Sequence, residues 1–310
     1  MLKIGSLQLK SKLILAPMAG ISDLPFRMLN RNFGCELAFV EMINCRSLSY
    51  KSRRTRQMLS TRKEDFPLGV QILGCEEQYI LRAMQVLQNY RFELLDFNAA
   101  CPAKKVVRRQ EGAGLMKAPK KLKQLLKLVV KESAVPVTVK IRSGWDKHSL
   151  NAREVALAAE DAGISGLFIH GRTKLQGYSG SVDYKIIAAV KKALKIPVIA
   201  SGDILSAELI NKMFERTGCD AVAVARGALG NPWIFQSRPA PLAEIVQVMR
   251  KHLEASVDFY GERVGVMKFR KFFAWYTKGL RKVRVLREKS SRAKKKDQMS
   301  KIIDSIHSHA

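Results

Sequence analysis

Short apolar runs rich in branched side chains recur along the first three quarters of the chain, each followed by a longer stretch with helical spacing. They begin at Leu13 (LILAPMAG), Leu37 (LAFVEM), Pro67 (PLGVQI), Leu94 (LLDFNA), Pro136 (PVTVKIR), Gly166 (GLFIHGR), Pro197 (PVIASGD) and Ala221 (AVAVARG). Such alternation predicts parallel strands joined by crossover helices, and eight strands predict an α/β fold of the closed (β/α)8 TIM-barrel type. The Leu13–Pro17 run is shorter than the apolar stretch of a secretory signal, about 7–15 residues, and is expected to be the first strand. Asn151 with Glu154 three residues on suggests a capping box ahead of a helix, and Ser206 precedes Ala207–Glu215 in the same way.

The alternation stops after Trp233. From Pro239 to Ala310 helix formers dominate, and Ile245, Val248, Met249, Leu253 and Val257 follow the i, i+3, i+4 pattern of one helix face. The expectation is a barrel over residues 1–238 and a small C-terminal all-helical domain over 239–310. Within it Phe269, Phe272, Phe273, Trp275 and Tyr276 interleave with Lys268, Arg270 and Lys271, which predicts part core and part nucleic-acid surface. The segment AKKKDQ reads as a solvated face.

Charge sharpens this picture. The 310 residues hold 55 Lys and Arg against 27 Asp and Glu, a formal charge of +28, more than solubility asks of an enzyme acting on a small metabolite. A polyanionic partner is expected. No window reaches the roughly 20 apolar residues of a spanning helix, and the charge is spread along the chain, so nucleic acid is favoured over a membrane surface. Cys35, Cys45, Cys75, Cys101 and Cys219 form an odd set with no CxxC pair and no histidine at ligand spacing. That predicts a reducing cytoplasm and no zinc; a monomer is expected.

Each apolar run ends in residues that a core does not want: Met18-Ala19-Gly20, Glu41, Gln71, Asn98, Lys140, His170, Ser201-Gly202-Asp203 and Arg226-Gly227. A single one is as easily a strand end meeting solvent, but in a barrel all of them converge on the face where active sites are built. The small residues and the arginine after the last two runs fit a phosphate site. Lys140 suits the polar edge of a flavin, because a cation there favours the reduced, anionic ring; the alternative is an ion pair with a neighbour such as Glu41. Cys101, in DFNAACPAKKVV, could be a buried thiol, a metal ligand, a nucleophile or an acid.

The blocks APMAGISDLPFR, VEM, VQILG, DFNAACPAKKVVRRQEGAGLM, VTVKIRSGW, IHGRTKLQGYSG, IASGDI and ARGALGNPWIF resemble, in this order, the signature blocks of the tRNA-dihydrouridine synthases, most closely the bacterial branch usually called DusB. The resemblance covers Leu13 to Phe235, and the helical tail resembles the family's RNA-binding C-terminal domain. It implies an FMN-bound barrel in which NADPH (or NADH) reduces the flavin and the flavin reduces the C5=C6 bond of selected uridines in RNA, with tRNA the expected class. By position, Ala16, Pro17 and Met18 would line the flavin ring, and Gln71 and Lys140 would meet its polar edge. His170, Ser201, Gly202, Asp203, Ala225, Arg226 and Gly227 would hold the ribityl and phosphate parts. Asn98 and Cys101 would face the uracil, while Lys104, Lys105, Arg142, Arg172, Lys268, Arg270 and Lys271 would contact RNA. Two positions depart from the family: Ala100 stands where Gly is usual, and Ser201 where Asn is usual.

A hydride added to C6 of uracil leaves negative charge at C5 and O4, so the reaction needs a proton donor. A thiol is mostly protonated at neutral pH. Nearby cations favour the thiolate, and RNA phosphates would neutralise Lys104 and Lys105 once substrate is bound. Cys101 is therefore expected to be the acid. The target base must also leave its stack, at a cost of a few kcal/mol that the basic surface offsets. Three other readings stay open: the same chemistry on ribosomal RNA, a small-molecule FMN barrel of the dihydroorotate dehydrogenase type, and a non-catalytic RNA-binding protein.

Overall fold

The computed structural model describes residues 1–50 and 52–308, so the last two positions of the expected tail lie outside the described residues. All eight apolar runs are strands: β1 Leu13–Leu15, β2 Leu37–Phe39, β3 Leu68–Leu73, β4 Leu94–Asn98, β5 Val137–Arg142, β6 Gly166–His170, β7 Val198–Ser201 and β8 Ala221–Val224. Every neighbouring pair is parallel, and the ring closes where β8 pairs with β1, with Val222 opposite Leu13. β2 bridges β1 and β3, with Ala38 opposite Leu68.

Alternation along each strand sends one set of side chains into the barrel and the other toward the helices. The lower interior is apolar: Ile14, Leu37, Phe39, Leu94, Phe168 and Ile199 pack there together. Phe39 fits because Gly69 lies opposite it; a β-carbon at position 69 would stand 2.4 Å from the Phe39 ring. The sequence pattern missed what closes this end. An antiparallel hairpin, Leu2–Ile4 with Leu7–Leu9, turns at Gly5 (φ 57°) and sends Leu2, Ile4 and Leu9 into the same cluster. Higher in the barrel the inward positions become polar.

Outside, the expected N-cap at Ser206 holds, its hydroxyl accepting from Leu209 N at 3.3 Å, and that helix ends at Gly218 (φ 62°). The expected cap at Asn151 does not. Its amide donates instead to the Met116 carbonyl at 2.7 Å, so tertiary contact wins over local capping.

The first barrel helix, α1 (Leu24–Arg31), is capped by Asp23, which accepts from Phe26 N at 3.1 Å. The C-terminal part forms α2 (Leu242–Tyr260), α3 (Glu262–Tyr276), α4 (Arg284–Arg292) and α5 (Lys296–Asp304). Phe26 of α1 stacks on Phe272 of α3 at 5.4 Å, and the Tyr260 hydroxyl of α2 donates to Asp23 at 2.9 Å. The apolar core runs without a break from the barrel's outer layer into these helices. Packing therefore fixes α3 beside the barrel mouth.

Candidate active site

A cavity of about 520 Å³ opens at the C-terminal ends of the strands. Strand register builds its floor in tiers. Gln71 lies beside Asp96 and Asp96 beside Thr138; above them Asn98 lies beside Lys140; at the rim Arg142 lies beside His170 and His170 beside Ser201. Pro17, Met18, Ala225 and Arg226 complete the wall from β1 and β8.

Cys101 lines this cavity in the loop after β4. Three hydrogen bonds fix the loop: Asn98 Oδ1 accepts from the amides of Ala100 and Cys101 at 3.0 and 2.8 Å, and Cys101 O accepts from Ala113 N at 3.0 Å. Arg142 is buried and donates to Ala100 O at 2.7 Å and to Thr173 O and Gly177 O at 2.9 Å. It ties the Cys101 loop to the loop after β6. The expected contact of Arg142 with RNA would be made from inside the mouth, where Arg142 lines the cavity.

Lys140 lines the cavity; burial pulls its pKa down and Asp96 opposes that pull. No ion pair joins it to Glu41, which instead accepts from Gly20 N. Burial, aided by the positive field of Arg142, Lys140, Arg172 and Arg226, holds the His170 ring near pKa 2, hence neutral. Its Nε2 is buried without a partner, and Ser201 turns away to donate to Ile169 O at 3.1 Å.

At the other end Asp203, in a left-handed backbone conformation (φ 52°), accepts from both Arg172 and Arg226. Arg172 is 2 % exposed at its side chain and also donates to Ser179 O at 3.0 Å. It is a buried clamp on Asp203, which corrects the expectation that it meets RNA. Arg226, 44 % exposed, keeps a face open toward the cavity. Gly202 (φ 120°) lets this corner close: a β-carbon there would stand 3.0 Å from the His170 ring. Gly227 and Ala16 lie behind the cavity wall, Ala16 buried in the barrel interior.

The remaining basic residues divide. Lys104 and Lys105 are exposed on a short helical turn, Lys104–Val107, directly after the cavity loop. Lys271 of α3 reaches Gly20 O at the mouth, and Lys268 lies over the Tyr260 ring at 4.2 Å. Arg270 donates twice to Ala293 O, at 3.0 and 2.6 Å, so it ties α3 to the end of α4. Phe269, Phe272, Phe273 and Tyr276 are core, whereas Trp275 reaches the cavity wall. Sequence reasoning missed Asp96, Thr138 and Tyr178. For Asp96 a signal existed, a carboxylate at an inward register inside the apolar run LLDFN.

A mouth that gathers a thiol, a lysine, a neutral histidine and an arginine defines an enzyme of the barrel class, with a helical wall of its own. The comparisons carry this further. The model of the family described as dihydrouridine synthase matches residues 14–309. The chain is 40% identical over 298 residues to tRNA-dihydrouridine synthase B of Pasteurella multocida, covering 93% of this chain and 90% of that one. It is 41% identical over 288 residues to tRNA-dihydrouridine synthase B of Vibrio vulnificus, covering 89% of each. Among solved structures, 2-naphthoyl-CoA reductase in complex with 2-naphthoyl-CoA shares the fold at a TM-score of 0.60 and 12% identity, over 76% of this chain and 51% of that longer one. The chain belongs to the dihydrouridine synthase family.

Proposed function

We propose that this enzyme, a tRNA-dihydrouridine synthase that reduces uridine to 5,6-dihydrouridine, works with FMN and NADPH and uses Cys101 as its proton donor. The residues present fit a flavin mononucleotide. His170 offers an unpartnered Nε2 in a corner that a β-carbon at Gly202 would fill, and Arg226 offers an open guanidinium for a phosphate. Bound FMN would supply the hydride that C6 of the uracil receives.

The chain's own residues supply the rest. Lys140 brings an amine to the cavity lining, and a cation at that edge would favour an anionic partner. The Asp203 carboxylate, shared between two guanidiniums, leaves the corner net positive. Cys101 carries the proton that C5 requires, on a loop pinned from below by Asn98 and from the side by Arg142. Lys104 and Lys105 stand beside it for the RNA backbone. The five free thiols fit a reducing cytoplasm.

The observation that carries this reading is the convergence of Cys101, Lys140, His170 and Arg226 on one cavity. The test uses the purified chain and tRNA lacking dihydrouridine. Denaturation should release FMN, and NADPH should support dihydrouridine formation. Cys101→Ala should keep flavin and NADPH oxidation, while dihydrouridine formation falls at least about a hundredfold. Absence of flavin, or FAD alone, would refute the cofactor reading; a normal yield from Cys101→Ala would refute the acid.

A further inference from the structure

Asp96 sits in the middle of β4, 1 % exposed, with both oxygens engaged. Oδ1 accepts from the Thr138 hydroxyl and Oδ2 from Gln71 Nε2, each at 2.7 Å. Gln71 Oε1 then accepts from Asn98 Nδ2 at 2.8 Å. Asn98 Oδ1 accepts from the Cys101 and Ala100 amides. The result is one continuous line of hydrogen bonds from the barrel interior to the Cys101 backbone.

The direction of that line follows from the chemistry of its ends. A carboxylate only accepts, so the NH2 of Gln71 must face Asp96 and its oxygen must face Asn98. A backbone N–H only donates, so the oxygen of Asn98 must face Cys101 and its NH2 must face Gln71. Two amides joined head to tail satisfy both ends at once. Burial pushes the Asp96 carboxyl up to about 6, while the hydrogen bonds from Gln71 and Thr138 and the nearby Lys140 pull it the other way.

We propose that Asp96 is a positioning residue of the reaction: it fixes the polarity of Gln71 and Asn98 and thereby the seat of the Cys101 loop in the cavity. The inference rests on the function proposed above. It predicts a pattern that simple loss of side chains does not. Asp96→Asn can keep its oxygen toward Gln71, because its NH2 then faces the Thr138 hydroxyl, which accepts as readily as it donates. Asn98→Asp still accepts from Cys101 N but turns a second oxygen on Gln71 Oε1. Gln71 cannot flip to meet it without facing Asp96 with its own oxygen. In the double variant Asp96→Asn/Asn98→Asp the whole line can reverse: Gln71 donates to residue 98, and residue 96 donates to Gln71 while accepting from Thr138.

The experiment compares the full-length wild type, the two single variants and the double. Its readouts are the rate of Cys101 alkylation located by mass spectrometry, dihydrouridine turnover, and the thermal midpoint. Asp96→Asn should stay within about tenfold of wild-type turnover, while Asn98→Asp should fall further and alter Cys101 alkylation. The double should recover turnover at least about tenfold over Asn98→Asp and return alkylation toward wild type. A double variant no better than Asn98→Asp in either readout, whether folded or not, overturns the proposal. If Cys101→Ala made dihydrouridine normally, the acid assignment would fail. The recovery of alkylation and thermal midpoint in the double would still report the relay.

Discussion

A β-carbon at position 227 would stand 2.0 Å from the Ile204 carbonyl oxygen and 2.7 Å from Ile234 Cδ1. Glycine is therefore required there for the loops after β7 and β8 to lie against each other. Asp203 and Arg226 sit on those two loops, so their separation sets the corner proposed for the phosphate. The strained φ of Asp203 is held by the same pair of guanidiniums. Gly227→Ala should destabilise the fold by about 1–3 kcal/mol, as overpacking does. If that strain falls on the bound loop pair, flavin affinity should weaken by about tenfold or more. Titration of flavin-free protein with FMN, beside a denaturant melt, checks both; unchanged affinity would mean that the corner does not hold the phosphate.

At the scale of elements, α3 turns one face to the barrel. Lys268, Lys271 and Trp275 recur at helical spacing, and Gly230 permits the close approach: a β-carbon there would lie 2.6 Å from the Trp275 carbonyl carbon. Half-buried Trp275 is the contribution of this helix to the cavity wall, and an aromatic ring there suits a nucleobase. Trp275→Ala should lower kcat/KM for tRNA by about ten- to a hundredfold, matching the loss of one stacked base, while the released flavin stays FMN. Steady-state kinetics at varied tRNA concentration would decide it, and an unchanged KM would make the ring mere packing. Composition alone could not single out Trp275, because Phe269, Phe272 and Phe273 have the same local pattern and differ only in which neighbour buries them. The barrel strands were legible since parallel strands buried on both faces read as unbroken apolar runs. The N-terminal hairpin was not, its strands being three residues each. The roles of Arg172 and Arg270 were hidden for a related reason. Their acceptors, Asp203 and Ala293 O, are brought near only by the fold.

Across the whole molecule, the +28 charge is not one uniform surface. Arg27 and Arg31 share the buried Asp65, so these two cations hold the fold, while Lys191 pairs with Asp220 and Arg250 with Asp304 nearer the surface. Lys104, Lys105, Arg108 and Arg109 are exposed just beyond the Cys101 loop, and Lys271 lies at the opposite rim on α3. A tRNA whose uridine enters the cavity would pass its backbone across these two banks, releasing condensed counterions at each phosphate contact. Its affinity should fall linearly on a log–log plot against salt, with a slope of roughly 0.7 to 0.9 per contact. Replacing Lys104, Lys105 and Arg108 together by alanine should reduce that slope by about two to three, whereas Arg250→Ala should leave it unchanged. FMN content and NADPH oxidation in the absence of RNA should survive the triple change, because none of the three lines the cavity. Binding measured at several salt concentrations separates the cases: an equal loss of slope from Arg250→Ala would mean that the charge acts as a diffuse cloud, and an unchanged slope in the triple variant would move the RNA track away from the Cys101 rim.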